Sequence, residues 1–333
     1  MSAVAQDSAD FSQPRLPAAG PAPVAASPRE STPLPPKVVV SISLGSSKRN
    51  ERAETTLLGV PVILERIGVD GDQKKARALF EQMDGRVSAF GFGGADLGIT
   101  VAGRFYRFSS LESLTAGLKT PVVDGGALRR IIERRCVQAF TPLLPDINPK
   151  RVLITTAVDR YDMACSFAEA GYETRFGDLG FVFGLPIALR SLRALNAAAR
   201  ILLPVVRRLP FAQLYPTGKQ QDEIHAKFRH WFDWATVIGG DFLFLRTHMP
   251  DRLDGKVIVT NTTTAADVEL VRGRGARALI TSTPRINGRS FGTNVIEAAL
   301  TAIADKGRPL SDIEIGAMLG ADGLPPDIIR FDG

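Results

Sequence analysis

Asp178 stands 22 residues beyond Thr156. At that spacing a dinucleotide-binding βαβ unit keeps the carboxylate that accepts hydrogen bonds from an adenosine ribose. A turn aspartate ahead of Gly180 would satisfy the same spacing, because aspartate readily bonds its own backbone in tight turns. The intervening turn, "TTAVDRYD" (155–162), has no glycine. The G-x-G-x-x-G fingerprint needs glycine so that backbone amides can approach a pyrophosphate, and Asp159 and Asp162 would add like charge there. Two later stretches offer polar strand ends. "VTNTTTAADVEL" (259–270) sets Asn261, Thr262 and Thr263 after a β-branched run, with Thr264 as the N-cap of a helix and Asp267 in its first turn. "TSTPRINGRSFGTNVIEAAL" (281–300) carries Thr281, Arg285, Arg289 and the pair Thr293-Asn294 opening an apolar helix. Helix amides beside two guanidiniums would bind an anion or phosphate. Thr156, Asp178, Asn261, Thr262, Thr263, Thr281, Arg289, Thr293 and Asn294 are therefore the candidate contacts for a nicotinamide dinucleotide, NAD or NADP.

Taking hydride from an alcohol also requires a base for the proton. Asp96 in "GFGGADL" (91–97), Asp124 in "VVDGGAL" (122–128) and Asp241 after "VIGG" all follow strand-like runs. Lys48 in "SLGSSKRN" (43–50) is the cationic alternative. The sequence does not rank these four. His225, His230 and His248 are not combined with Cys136 or Cys165 at a ligand spacing, so no metal site is expected.

The elements that must position these residues have an alternating pattern. From Lys37 come a buried strand (38–45), a hairpin about Gly59, a helix over 72–84, a strand (87–93), a hairpin about Gly103, a helix near 111–118, and the strand "PVVDGG" opening a basic helix over 127–139. "TPLLPDINP" (141–149) holds three prolines and reads as a boundary. Strands follow at 152–156, 173–177, 236–239, 256–261 and 277–282, with helical patterns between most of them. The expected fold is α/β: two Rossmann-like domains, the C-terminal one a doubly wound parallel sheet, with a disordered Pro/Ala-rich tail. The expected divisions are tail 1–36, N-terminal α/β domain 37–140 with hairpin insertions, Rossmann-like domain 150–305 and C-terminal extension 306–333.

Composition bounds the setting. With 44% hydrophobic and 23% charged residues the chain is of the soluble globular class. Two cysteines cannot build a disulfide framework. Eight of the 23 residues from Pro14 to Pro36 are proline, too little apolar surface to offset ordering, hence the tail. No apolar run of signal-peptide type stands near the start, and Asp7 and Asp10 precede the first arginine, so a cytoplasmic location is expected. The net charge of +6 favours anionic partners. It is concentrated between Leu179 and Gln221, which has no Asp or Glu but carries Arg190, Arg193, Arg200, Arg207, Arg208 and Lys219 among aliphatic residues. Such a segment can lie on an anionic membrane surface or receive a lipid-like substrate; a core-facing helix with solvated arginines has the same pattern. Basic residues interleaved with aromatic platforms are missing, so no nucleic acid is expected. A homo-oligomer is compatible with the sequence.

"YPTGKQQDEI", "GDFLFLRTHMPDRLDGKVIVTNTTTAADVELVRGRG" and "TSTPRINGRSFGTNVIEAAL" resemble a bacterial family labelled quinate 5-dehydrogenase. So do "VVSISLGSSKRNERAE", "VVDGGALRRIIERR" and "YETRFGDLGFVFGLPIALRSLRAL", and the resemblance covers nearly everything after the tail. It implies an NAD(P)-dependent oxidoreductase, with quinate oxidation as one substrate assignment. Quinate and shikimate dehydrogenases proper carry a GAGG-type nucleotide turn and a catalytic Lys–Asp pair in an Asn-Thr-Asp-Gly context. Here Asn261-Thr262 is followed by Thr263, and no catalytic residue carries over. Three readings follow: a two-domain oxidoreductase with a small polar substrate in its cleft, a peripheral-membrane protein of lipid metabolism, and a non-catalytic nucleotide- or metabolite-binding module.

Overall fold

The computed structural model describes residues 35–209, 226–283, 285–286, 289–320 and 323–331. Most of the expected tail, "YPTGKQQDEI" and His225 lie outside the described residues. The chain opens with β1 (Lys37–Ser43), the hairpin β2 (Glu51–Leu57) and β3 (Val60–Gly68), helix α1 (Gln73–Met83) and β4 (Ala89–Gly93). A second hairpin, β5 (Gly98–Val101) and β6 (Arg104–Arg107), then α2 (Ser109–Thr115) and β7 (Val122–Val123) complete this part. The sheet runs β2-β3-β1-β4-β7, parallel except for the antiparallel edge strand β2. Strand side chains alternate between faces, so β1 serves two cores. Val40 and Ile42 meet Phe80, Phe90, Phe92 and Leu111 on one face; Val39 meets Leu128, Ile132 and Val295 on the other.

Helix α3 (Gly126–Phe140) leads into the second sheet. Its first half, Leu128 and Ile132, packs in a first-sheet core. Its second half, Cys136, Val137 and Phe140, packs in a second-sheet core with Val152, Ile154 and Phe167. One helix about 22 Å long thus belongs to both domains. The chain continues through β8 (Arg151–Ile154), α4 (Tyr161–Glu169), β9 (Glu173–Phe176), α5 (Asp178–Phe181), α6 (Leu192–Val206), α7 (Arg229–Trp234) and β10 (Val237–Gly239). Then come α8 (Phe242–His248), β11 (Val257–Thr260), α9 (Ala265–Gly273) and β12 (Ala278–Thr281). The short hairpin β13 (Arg285–Ile286) and β14 (Arg289–Ser290), α10 (Thr293–Ala304), α11 (Asp312–Leu319) and β15 (Asp327–Arg330) end the fold.

The second sheet runs β15-β12-β11-β10-β8-β9, with β15 antiparallel on the edge. Its five parallel strands reverse direction of winding between β8 and β10, the place where ligands of doubly wound sheets bind. The first sheet has the equivalent reversal between β1 and β4. The protein is therefore built from two Rossmann-like α/β units.

One expectation needs correction. The expected division at 305 places residues 293–304 with the second sheet, but α10 packs against β1 and β4 of the first. The reason is a glycine floor. A Cβ at Gly91 would lie 2.9 Å from the Asn294 carbonyl oxygen, and one at Gly125, whose φ is 87°, 2.4 Å from the Asn294 nitrogen. Only glycine lets the helix start come that close. Residues 306–333 likewise form more than an extension: α11 packs on α3, and β15 completes the second sheet.

Candidate functional site

The carboxyl ends of β4, β7, β8 and β10 converge, with α3 between them, on a buried cluster of charged side chains. Asp96 follows β4, and Arg129 on the first turns of α3 grips it with two hydrogen bonds of 3.0 and 2.8 Å. Asp159 and Arg160 follow β8. Arg160 lies 3.1 Å from Glu133 one turn further along α3, 3.2 Å from Asp159, and donates to Asp241 beyond β10. Arg129 also lies 3.9 Å from Asp159. The helix α3 thus presents Arg129 and Glu133 at i and i+4, on one face, to loops of both domains. Asp124 closes the front: its two oxygens accept from the backbone amides of Leu97 (2.8 Å) and Gly126 (2.9 Å).

Charge does not balance here. Asp96, Asp124, Glu133, Asp159 and Asp241 are five carboxyls against the two guanidiniums of Arg129 and Arg160. Arg130 is engaged by Asp312, and Asp162 by Arg134. Burial pushes Asp96 up to about 7, with Arg129 opposing the rise and Asp159 and Asp124 adding to it. Burial also pushes Glu133 up to about 7, against Arg160 and Arg129. For Asp159 burial is outweighed by Arg160, Arg129 and a hydrogen bond from Asp96, so this carboxyl sits below its ordinary value. Burial thus drives Asp96 upward while its arginine neighbours hold Asp159 down. Two carboxyls driven apart in this way are the usual material of acid–base chemistry. A small open cleft lies beside them between Thr100 and Phe105 of the β5–β6 hairpin, Asp124 and Glu133, and Asp159 and Tyr161. Asp159 keeps about a fifth of its side chain exposed, at 21%. Its Oδ1 has no hydrogen-bond partner, and neither has the Arg160 Nε.

Of the four candidate bases, the structure brings three together. Asp96, Asp124 and Asp241 belong to the cluster; Lys48 stays exposed in the short turn Ser47–Arg49, outside it. Asp241 also caps α8 through the Leu243 amide at 3.0 Å and accepts from the Asn261 amide nitrogen at 2.9 Å. Asn261 in turn accepts from the Phe242 amide. Arg129, Glu133 and Arg160 escaped the sequence reading. Glu133 is the lone acid in the basic stretch "RRIIERR", and a single carboxylate among arginines was the available signal.

The expected dinucleotide contacts do not assemble into a nucleotide site. Asp178 is 6% exposed, and its oxygens accept from the amides of Val158 (2.8 Å) and Ala157 (3.1 Å). It clamps the β8 turn, and the amides that a pyrophosphate would require are bonded to it. Burial raises this carboxyl to about 6 in spite of those bonds. The turn, glycine-free and carrying the half-buried carboxylate of Asp159, does not fit a dinucleotide. Thr156 is buried with an unpartnered hydroxyl. Thr262 and Thr283 pair at 3.1 Å, Thr281 donates to the Thr283 carbonyl, and Thr263 is buried. Thr293 rests on Gly125, and Asn294 donates to the Ser41 hydroxyl at 2.7 Å, latching α10 to β1. Arg289 is placed by its backbone in β14, its side chain outside the described residues. Among the described residues no group of histidines, cysteines and acids could hold a metal ion.

Residues 127–331 match the family described as Domain of unknown function (DUF8754), over more than half of the chain. The chain belongs to the DUF8754 family. Residues 38–124 match a second one, described as Domain of unknown function (DUF8753). The two matches meet at Gly125–Gly126, where α3 begins, ahead of the proline-rich stretch. No curated protein matches. Among solved structures the chain is similar to an NAD-dependent malic enzyme from Thermotoga maritima, with 11% identity, 85% of this chain and 75% of that chain covered, and a TM-score of 0.39. It is also similar to GanP, a glucose-galactose binding protein from Geobacillus stearothermophilus, with 9% identity, 89% and 98% covered, and a TM-score of 0.37. A periplasmic sugar binding protein from Legionella pneumophila gives 10% identity, 81% and 93% covered, and a TM-score of 0.35. These likenesses carry no argument about chemistry.

Proposed function

We propose that this protein is an enzyme that performs proton-transfer chemistry on a small hydroxyl-bearing molecule held in the cleft between its two α/β units. One observation carries the reading: Asp96 from one unit and the partly exposed Asp159 from the other lie beside a single guanidinium, in a cluster with five carboxyls and two cations. About a fifth of the Asp159 side chain stays exposed, and that part is where a substrate hydroxyl would meet it. Asp159, held ionised, accepts a hydrogen bond from the substrate hydroxyl, and Asp96, raised to about 7 by burial, is the member suited to exchange a proton near neutral pH. The acidic surplus favours a neutral polyol over a sugar acid, since an anion would meet like charge. This keeps the polar-alcohol half of the expected oxidoreductase. It leaves the NAD or NADP half, and quinate as substrate, without residues to support them.

Thermal-shift titration of the purified chain with neutral polyols, sugar acids, NAD and NADP tests the reading. A neutral polyol should stabilise saturably, with affinity changing as pH passes through about 7. In Asp159→Asn, checked for fold by circular dichroism, that affinity should fall roughly tenfold or more, as for a hydrogen bond to a charged group. Saturation by a sugar acid or dinucleotide alone, or equal polyol affinity in Asp159→Asn, would overturn it.

A further inference from the structure

Helix α6 has two faces with separate employments. Ser191 caps it by accepting from the Ala194 amide at 3.1 Å. Its inner face is fixed along the whole length. Leu195 is buried in a second-sheet core. Ala199 and Leu203 pack with Val101 and Tyr106 of the β5–β6 hairpin, and Val206 packs on a first-sheet core. The Arg207 carbonyl accepts from the Ser109 amide at 3.0 Å. Position and rotation of the helix are therefore set, and what it turns outward is not a consequence of loose packing.

The outer face carries Arg193, Ala197, Arg200, Ile201, Val205 and Arg208, all exposed. At 100° per residue they occupy an arc of about 140°. Ile201 is 72% exposed and Val205 63%. Ahead of the helix, all six residues 182–187 are exposed, with Val182, Phe183, Leu185 and Ile187 among them. Arg190, Arg193, Arg200 and Arg208 form no ion pair among the described residues, and no Asp or Glu occurs between Leu179 and Gln221.

Single exposed apolar residues are ordinary on a soluble surface. A solvated surface, however, intersperses both signs of charge. Six exposed aliphatic or aromatic side chains accompanied by four arginines with no ion pair among the described residues have a different logic. Nucleic acid would take the guanidiniums and leave Ile201 and Val205 in water. An anionic lipid surface takes both: arginines reach the phosphates at headgroup level while the apolar side chains enter the acyl boundary. Among the described residues no helix is long and apolar enough to cross a membrane, so the contact lies on the surface. We propose that the outer face of α6 and residues 182–187 form a peripheral docking surface for anionic lipid.

Flotation of the full chain with phosphatidylcholine vesicles, with and without phosphatidylglycerol, tests this. Binding is expected only with phosphatidylglycerol and should be lost at high salt. Neutralising Arg200 and Arg208 together (R200Q/R208Q) should weaken binding about 25-fold, at roughly fivefold for each arginine near the surface. I201S/V205S should weaken binding at low salt without lowering the melting temperature, because both side chains are exposed. K74Q/K75Q on the exposed side of α1 removes the same charge elsewhere and should bind as wild type does. Wild type that fails to float with phosphatidylglycerol vesicles overturns the proposal. So does an equal loss in K74Q/K75Q, which would reduce the effect to net charge. Capture by an acidic soluble protein in place of vesicles also overturns it.

Discussion

Replacing Asp178 by alanine separates a ligand residue from a structural clamp. The structure gives this carboxylate two backbone amides, Ala157 and Val158, and almost no solvent. Its removal leaves two buried donors unsatisfied at about 1–3 kcal/mol each, so roughly 2–6 kcal/mol in all before the turn relaxes. The cost depends on pH. Burial raises Asp178 from 3.8 to about 6, so between those values the folded state binds more protons there than the unfolded chain. Wild-type stability from this group is complete below about 3.8 and is lost as pH rises through about 6. The alanine variant has no such dependence. Its penalty should therefore be about 1.5 kcal/mol smaller near pH 8 than near pH 5. Urea denaturation at the two pH values measures this, and hydrogen exchange at Ala157 and Val158 should accelerate in parallel. Unchanged stability and exchange together with a lost nucleotide affinity would refute the clamp and restore the ribose-binding role.

Arg160→Met removes the partner of Glu133, Asp159 and Asp241 and should cost roughly 3–5 kcal/mol in chemical denaturation, as when a buried pair is broken; a loss below about 1 kcal/mol would mean the cluster is hydrated. Gly125→Ala should lower stability by more than about 1 kcal/mol from its left-handed backbone alone, and a melting temperature equal to wild type would contradict the seating of α10 on β1 and β4. Glu297 is buried and raised from 4.5 to about 8, first by burial and then by Asp124, so stability should fall as pH rises from about 4.5 to about 8. Glu297→Gln should flatten the melting profile over that interval while leaving it unchanged below about pH 4.5, and an unaltered slope would place the titration elsewhere.

The strands were readable because they are β-branched runs closed by turns. Val152–Ile154, Val257–Thr260 and Ala278–Thr281 are buried on both faces, as a doubly wound parallel sheet requires, and they fall within the stretches expected from sequence. Docking was not readable. "TNVIEAALTAIA" is apolar nearly all round, and periodicity cannot say which sheet such a helix covers. The decisive feature sits two hundred residues away, in the glycines of "AFGFGG". These read equally as tight turns or as a cleft lining, and serve as the floor on which Asn294 rests.

The site divides along the same physical line. Asp96, Asp124 and Asp241 were visible because strand ends of α/β sheets are where side chains become available to ligands. Arg129, Glu133 and Arg160 were not, since each gains its meaning from a partner on another element. Asp178 is the instructive case. Its spacing from Thr156 suits a ribose acceptor, yet spacing along the chain fixes only that the carboxylate lies at the tip of β9. Whether it points to a ligand or back to its own turn depends on what else that turn can offer its amides. With no glycine to open the turn and two apolar residues, Ala157 and Val158, to bury, the amides needed an acceptor from the protein itself, and Asp178 supplied it. The same turn then carries Asp159 and Arg160 inward to α3. The glycine-free turn and the interdomain charge cluster are therefore two aspects of the same few residues, with Asp159 and Arg160 occupying the edge where a phosphate loop would run.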